Sequence, residues 1–141
     1  MNTSEKNPGL LLHLPAWLIQ AVKFSFVGVL NTAVDWGVYF ILTRWAGMAT
    51  LPVVAKSISY SAGILNSFFW NRTWTFRSKA QIWTTLLPFV AVNLVGLAIN
   101  TGVYELCLNI LGLHELIALG TATVITLAWN FVLSKLVVFR K

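Results

Sequence analysis

Long apolar segments separated by short polar ones dominate the sequence and predict membrane-spanning helices. A helix needs about 20 apolar residues to cross the hydrocarbon core of a bilayer. Four segments are long enough: residues 21–43, 51–70, 85–110 and 116–136. The pattern therefore predicts an all-α integral membrane protein with four transmembrane helices.

The composition agrees with lipid as the main solvent. Of the 141 residues, 57% are hydrophobic and 10% are charged, whereas about 25% of a soluble domain is charged. The net charge of +6 would suit a nucleic-acid-binding protein, but the charges stand at the ends of apolar segments. That placement is typical of membrane orientation signals, so we expect no nucleic acid partner.

The basic residues are distributed unevenly between the two sides of the predicted bundle. Eight of the ten lie before or at the start of the first segment, between the second and third, or at or after the end of the fourth. The positive-inside rule places these regions, and both chain ends, in the cytoplasm. Residues 1–20 lack the cleavage site of a signal peptide, so they form either an interfacial helix on the inner leaflet or a frayed terminus.

An internal repeat relates the two halves of the chain at a shift of about 64 residues. The segment DWGVY at 35–39 recurs as NTGVY at 100–104, and Phe-Arg at 76–77 recurs at 139–140. Residues 21–79 and 85–141 thus form two parallel two-helix repeats, an arrangement found in some transporters. The alternative is chance similarity between apolar segments.

Polar side chains recur within the apolar segments at helical spacing. Each predicted helix carries one asparagine in about the inner third of the membrane: Asn31, Asn66, Asn93 and Asn130. Amides at a shared depth either hydrogen-bond between helices or form a polar groove for sugar hydroxyls. Asn100 lies on the same helical face as Asn93 and extends the stripe.

Two ionisable residues, Asp35 and Lys56, lie inside predicted helices and on the outer side of the membrane. Charged groups in a membrane are costly and mark functional sites by default. The two residues are placed to pair with each other, although a buried pair can also be purely structural. Their counterparts in the repeat are Asn100 and Gly120, so only the first half carries the pair.

The ends of the second and fourth predicted helices are rich in aromatic and basic side chains. The candidate binding residues there are Trp70, Asn71, Arg72, Trp74, Arg77 and Lys135. One interpretation is an interfacial aromatic belt with snorkelling cations. The other is a lipid-phosphate site in which Arg72 is the bidentate ligand.

Signals for catalysis are missing from the sequence. It contains no Gly-rich nucleotide loop, no metal-ligand cluster, and no serine or cysteine with a nearby base. The single cysteine, Cys107, lies in an apolar segment and is expected to be a buried hydrophobe. We therefore expect no enzyme activity, no catalytic residues, no metal and no cofactor.

Several short motifs occur in a characteristic order along the chain. They are Phe24–Gly28, Asn31, Asp35, Ala55-Lys56, Asn71–Phe76 (NRTWTF) and Phe139-Arg140. Together they resemble the GtrA-like family over residues 20–141. Two positions depart from that family: Lys23 stands where arginine is common, and Ser67 precedes Phe68 where asparagine is common. The second departure leaves the interaction partner of Asn66 open.

The resemblance implies a role in cell-surface polysaccharide synthesis in the bacterial cytoplasmic membrane. The leading hypothesis is a flippase for a polyprenyl-phosphate-linked monosaccharide, with membrane lipid around it. Because four helices make a narrow bundle, we expect a homodimer. The first alternative is a scaffold that recruits a polyprenyl-phosphate glycosyltransferase without transporting anything. The second is a small multidrug-type proton antiporter that uses Asp35 as its membrane carboxylate.

Overall fold

The computed structural model describes residues 14–140, in which every regular element is helical. Its four long helices are α1 (Ala16–Arg44), α2 (Pro52–Trp70), α3 (Ile82–Glu105) and α4 (Glu115–Leu133). A short 3₁₀ turn, Met48–Thr50, precedes α2. The all-helical prediction is confirmed, and each predicted segment overlaps one of the four helices and, for the third and fourth, the helical turn that follows it.

Three of these helices are long and apolar enough to cross a membrane: α1, and α3 and α4 with their C-terminal extensions. Helix α2 has 19 residues, but Lys56 and several serines lower its mean hydropathy, so it does not meet the same requirement. The fourth span therefore remains a prediction, as does the cytoplasmic location of the two ends.

The N-terminal boundary of the first helix differs from the prediction. Helix α1 begins at Ala16, before the predicted start at residue 21, so Trp17 and Leu18 belong to α1 itself. Pro15 stands at its N-cap, where the missing N–H of proline costs nothing. The rest of the predicted interfacial segment, residues 1–13, lies outside the described residues.

Helices α2, α3 and α4 each end in a five-residue π-helical turn: Asn71–Thr75, Leu106–Ile110 and Ser134–Val138. The N–H of Phe76 donates to the Asn71 carbonyl at 2.9 Å, and that of Phe139 donates to the Ser134 carbonyl at 2.8 Å. Helix α4 with its turn thus repeats α2 with its turn at a constant register. Such turns are rare and frequently mark functional sites.

The four helices form two hairpins, with α1 packed along α2 and α3 packed along α4. The hairpins join through a phenylalanine cluster at the end where α1 and α3 begin and α2 and α4 end. Its members are Phe24, Phe68, Phe76, Phe89, Phe131 and Phe139. Basic residues gather at the same end, and we call this end of the bundle, which carries Arg72, Arg77, Lys79, Lys135 and Arg140, the basic end.

Candidate functional site

A charged cluster of Asp35, Lys56 and Ser59 lies between α1 and α2, away from the basic end. The Lys56 ammonium is 2.6 Å from one oxygen of the Asp35 carboxylate. The Ser59 hydroxyl donates to the other oxygen, also at 2.6 Å, and Ser59 is completely buried. The side chain of Asp35 is 14% exposed and that of Lys56 is 52% exposed. The aspartate is therefore held inside the hairpin, whereas the lysine stays reachable from outside it.

Two cavities flank the charged cluster. One, of about 840 Å³, is lined by Trp36, Tyr39 and Lys56, among others. The Lys56 ammonium lies 5.9 Å from the centre of the Tyr39 ring. The other cavity, of about 640 Å³, is lined by Asp35 and Lys56 and reaches Leu97 of α3, so it opens between the two hairpins. A polar or anionic group has access to the cluster from either side.

Two of the predicted asparagines pack against glycines within their own hairpins. Asn31 of α1 lies on Gly63 of α2, and Asn130 of α4 lies on Gly96 of α3. The side-chain carbonyl oxygens of both asparagines are buried and have no hydrogen-bond partner within residues 14–140. Glycine allows this close approach because a Cβ would overlap the amide. Both amides therefore sit at helix–helix contacts.

The other predicted amides are distributed differently. The amide of Asn93 donates to the Phe89 carbonyl of its own helix at 2.8 Å, and the Asn66 amide nitrogen is buried without a partner in the described residues. Asn100 and Asn130 line a cavity of about 390 Å³ between α1 and the second hairpin. The asparagines predicted at a shared depth thus do not meet at one point. Only Asn130 among them lines this cavity, together with Asn100.

Hydroxyl groups complete the lining of that cavity. They belong to Ser25, Thr32, Thr123 and Thr126. Each donates its hydrogen to a backbone carbonyl of its own helix, at 2.7 to 3.1 Å. Their oxygen lone pairs remain available as acceptors. This cavity can therefore accept hydrogen bonds from hydroxyl groups, such as those of a sugar. Among the side chains named here, only the amides of Asn100 and Asn130 can donate to such groups.

At the basic end, two of the predicted binding residues face into the protein. The Arg72 guanidinium donates to the Ala80 carbonyl, and its Nε is buried without a partner in the described part of the chain. Asn71 is 1% exposed and donates to the Ser67 hydroxyl at 3.2 Å. The Arg72 contact holds the loop after α2 against the π turn, so Arg72 has at least part of its donor set occupied, whereas the Asn71 contact joins the π turn to α2.

The remaining predicted residues of the basic end are at the surface. Trp70 is exposed, and the Trp74 ring lies 5.0 Å from the Lys23 ammonium. Lys135 lies 5.8 Å from the ring of Phe131. Arg77 is exposed and has a positive φ of 48°, which is uncommon for a residue other than glycine.

Arg140 was not among the sequence-based candidates, yet it lines two cavities at the basic end. Arg77 and Lys79 share one of them, and Gln20 and Lys135 share the other. The signal was present in the repeated Phe-Arg pair, which makes Arg140 the counterpart of Arg77. Within residues 14–140, no three His, Cys, Asp or Glu side chains lie together as a metal site would require.

Comparison with known proteins identifies a family that this sequence matches. The model of the family described as GtrA/DPMS, transmembrane domain, matches residues 23–139. The uncharacterized membrane protein YngA of Bacillus subtilis is 36% identical over 118 residues, which cover 83% of this chain and 77% of that protein. The bactoprenol-linked glucose translocase of Salmonella phage P22 is 31% identical over 120 residues, covering 84% and 92%.

A third relative is an enzyme that is much longer than this chain. The dolichol-phosphate mannosyltransferase of Pyrococcus furiosus is 34% identical over 119 residues, which cover 81% of this chain and 32% of the enzyme. The chain therefore spans about a third of the mannosyltransferase and most of the other two relatives.

Proposed function

Because this chain belongs to the GtrA/DPMS transmembrane-domain family, we propose that it translocates a polyprenyl-phosphate-linked monosaccharide across the bacterial cytoplasmic membrane. Relatives named bactoprenol-linked glucose translocases support a lipid-linked sugar as the transported class. The same names fit a protein without enzymatic activity of its own.

The observation that carries the proposal is the charged cluster of α1 and α2 between two cavities. Ionised side chains inside apolar helices are costly, so they are normally paired with other polar groups and take part in function. Here Asp35 is satisfied by Lys56 and Ser59, while Lys56 remains half exposed. Lys56 is thus placed to leave the Asp35 carboxylate and bind the phosphate of a transported headgroup. When no headgroup is bound, Asp35 holds the Lys56 ammonium in place.

The same arrangement supports α2 as the fourth span. Among the polar side chains of α2, Ser59, Ser67 and the adjoining Asn71 are buried and do not face lipid, while the exposed Ser57 and Ser61 donate to backbone carbonyls of the helix itself. Mean hydropathy counts such residues against a span even when a neighbouring helix covers them. At about 1.5 Å per residue, α2 with its π turn is long enough to cross the hydrocarbon core.

In this proposal the polyprenyl chain stays in lipid while the headgroup moves between the hairpins. The cavity that contains Asn100 and Asn130 offers amides and hydroxyl acceptors to the sugar. The cations of the basic end hold the phosphate at the inner leaflet, and Lys56 receives it in the outer half. The predicted homodimer would enlarge the path, and cross-linking in native membranes tests for it.

The test is transport of a labelled short-chain polyprenyl-phosphate glucose into proteoliposomes. We expect Asp35→Asn and Lys56→Gln to lower the rate at least about tenfold, the effect of removing one charge-assisted contact. Glu105→Gln is the matched control, because Glu105 is exposed and its one side-chain hydrogen bond within residues 14–140 is with Asn109 of the same helix end. Parent-level transport by both cluster variants would rule out this role for the cluster.

A second candidate is a membrane scaffold that recruits a glycosyltransferase. It is favoured by the mannosyltransferase relative, in which the matching region is about a third of a longer enzyme. If the chain is a scaffold, a purified polyprenyl-phosphate glycosyltransferase is retained by the chain on a column, Asp35→Asn leaves retention unchanged, and proteoliposomes show no transport.

The proton-antiporter hypothesis gains no support from the relatives. Proton-coupled efflux that depends on Asp35 would be needed to support it.

A further inference from the structure

The two repeats meet at the basic end through a pair of equivalent phenylalanines. The rings of Phe76 and Phe139 stack at 5.2 Å with an interplanar angle of 21°, and both residues are nearly buried. Each is followed directly by an arginine, so the stack brings Arg77 and Arg140 to the surface side by side. Both line a single cavity of about 370 Å³, together with Lys79.

Arg140 also lines a second cavity, of about 300 Å³, on its other side. Lys135 contributes a further cation there, and Leu136 and Phe139 provide an apolar wall. The Gln20 side chain reaches the same cavity, and its carbonyl oxygen is buried without a hydrogen-bond partner in residues 14–140. Arg140 is thus the shared wall between two adjoining cavities.

The positive charge at this end is not neutralised by the described part of the chain. Between residues 14 and 140, the ion pair between Lys56 and Asp35 is the only one. The other described carboxylates, Glu105 and Glu115, lie where α3 ends and α4 begins, at the opposite end of the second hairpin. Within residues 14–140, Arg77, Lys79, Lys135 and Arg140 therefore have no carboxylate partner and can attract an anion from outside.

The backbone at Arg77 carries a conformational cost that the fold does not require of an arginine. The Ser78 N–H donates to the Arg72 carbonyl at 2.8 Å, with Arg77 at a φ of 48° inside the turn. The end of α3 uses the same bonding pattern with Gly112, at a φ of 63°, in the equivalent place. Glycine adopts this conformation freely and arginine does not. Backbone strain retained at one position indicates that the side chain there is used.

We propose that Arg140 and Arg77, one from each repeat, form a binding site for the phosphate of a polyprenyl lipid, with Lys79 and Lys135 on either side. The proposal rests on the proposed function for the identity of the lipid, but it concerns binding alone. Guanidinium groups bind phosphate oxygens in a bidentate manner, which suits two arginines facing one cavity. The stacked phenylalanines line the adjoining cavity on the other side of Arg140 and give it an apolar wall next to the phosphate site.

Binding of labelled farnesyl phosphate, a short polyprenyl monophosphate, to the full chain in phosphatidylcholine nanodiscs tests the site. We expect Arg140→Gln to weaken binding at least about tenfold, as expected for loss of a charged hydrogen-bonding partner. Arg140→Lys should bind with intermediate affinity, since it keeps the charge but not the fork. Lys23→Gln removes an equal charge from a cation that lines neither of the two cavities, and it should bind like the parent.

Two competitors separate a specific site from general attraction to a basic surface. Unlabelled farnesol, which has no phosphate, should not displace the probe, and phosphatidylglycerol should displace it only weakly. The inference is overturned if Arg140→Gln binds like the parent, or if phosphatidylglycerol competes as well as farnesyl phosphate does. Helix content measured by circular dichroism checks that each variant is folded. A protein that binds the probe through Arg140 but transports nothing would sink the proposed function and leave this site standing.

Discussion

Separating Asp35 from Lys56 is the most direct way to measure what holds the first hairpin together. Asp35→Asn keeps the shape of the side chain and removes its charge, and Lys56→Gln does the same for the partner. The two single variants, the double variant and the parent form a double-mutant cycle. The cycle isolates the interaction between the two residues from the cost of altering each one.

The structure bounds the size of that interaction. Removing one partner of a fully buried ion pair costs about 3–5 kcal/mol, whereas an exposed pair contributes about 0–1 kcal/mol. Asp35 is 14% exposed and Lys56 is 52% exposed, so we expect a coupling of about 1–2 kcal/mol, between these limits. Ser59 adds little to it, because its hydroxyl is also 3.0 Å from the Lys56 carbonyl oxygen and keeps an acceptor.

The free energy of unfolding is measured for all four proteins in lipid bicelles, by steric trapping of the unfolded state. Glu105→Gln combined with Lys56→Gln provides the control, since those two residues lie on different hairpins and should be additive within about 0.5 kcal/mol. Additivity of the same size in the Asp35 and Lys56 cycle would refute the pairing as a source of stability. The charged cluster would then have to be justified by transport alone.

Three further predictions follow from packing and backbone geometry, each measured by the same unfolding assay. Gly63→Ala and Gly96→Ala should each destabilise by about 1–3 kcal/mol, because the new Cβ overlaps a buried amide, whereas Gly102→Ala meets nothing within 4 Å and should be neutral or stabilising. Equal effects at all three glycines would contradict this. Arg77→Gly should stabilise by about 1 kcal/mol, since glycine tolerates a φ of 48°, and a loss of stability would mean that the turn is not strained. Phe139→Ala should cost about 3–5 kcal/mol because that ring is 2% exposed at the centre of the phenylalanine cluster, and a cost below 1 kcal/mol would show that the hairpins are joined elsewhere.

Hydrophobic patterning located the helices because lipid and a protein core both favour apolar side chains. The predicted segments at 51–70 and 116–136 agree closely with α2 and α4, whose ends are set by Pro52 and by the loop before Glu115. The start of α1 was less predictable, because residues 16–20 extend the helix on the N-terminal side of Lys23 without being needed for a span. The π-helical turns carry no clear sequence signal and emerged only from the structure.

The candidate site was predicted best where charge is scarce. Asp35 and Lys56 stand out because, of the four other charged residues in the helices, three are the first or last residue of a helix, and the structure places Asp35 and Lys56 in contact. Arginines at the basic end were harder to rank, since several lie close together in the sequence. Arg72 belongs to the most distinctive motif, yet its guanidinium contacts the Ala80 carbonyl. Arg140 lies near the end of the chain in a short motif, and its position beside Arg77 follows only from the stacking of two rings.

The two ends of the bundle treat the internal repeat in opposite ways. At the basic end the repeats are equivalent: matching π turns, matching phenylalanines and one arginine from each. Towards the other end only the first repeat has a charge pair, and Asn100 takes the place of Asp35. A phosphate headgroup passing through would thus leave a site built by both hairpins for one built by α1 and α2 alone. These unequal sites set how tightly the headgroup is held at each leaflet.

Unequal affinity at the two leaflets cannot set the direction of net transport. A ligand shifts an equilibrium between two states of the protein only by its differential affinity for them, and the binding free energies cancel over a complete transport cycle. Net flux in the proposed mechanism therefore follows the supply of lipid-linked sugar on one side of the membrane and its consumption on the other.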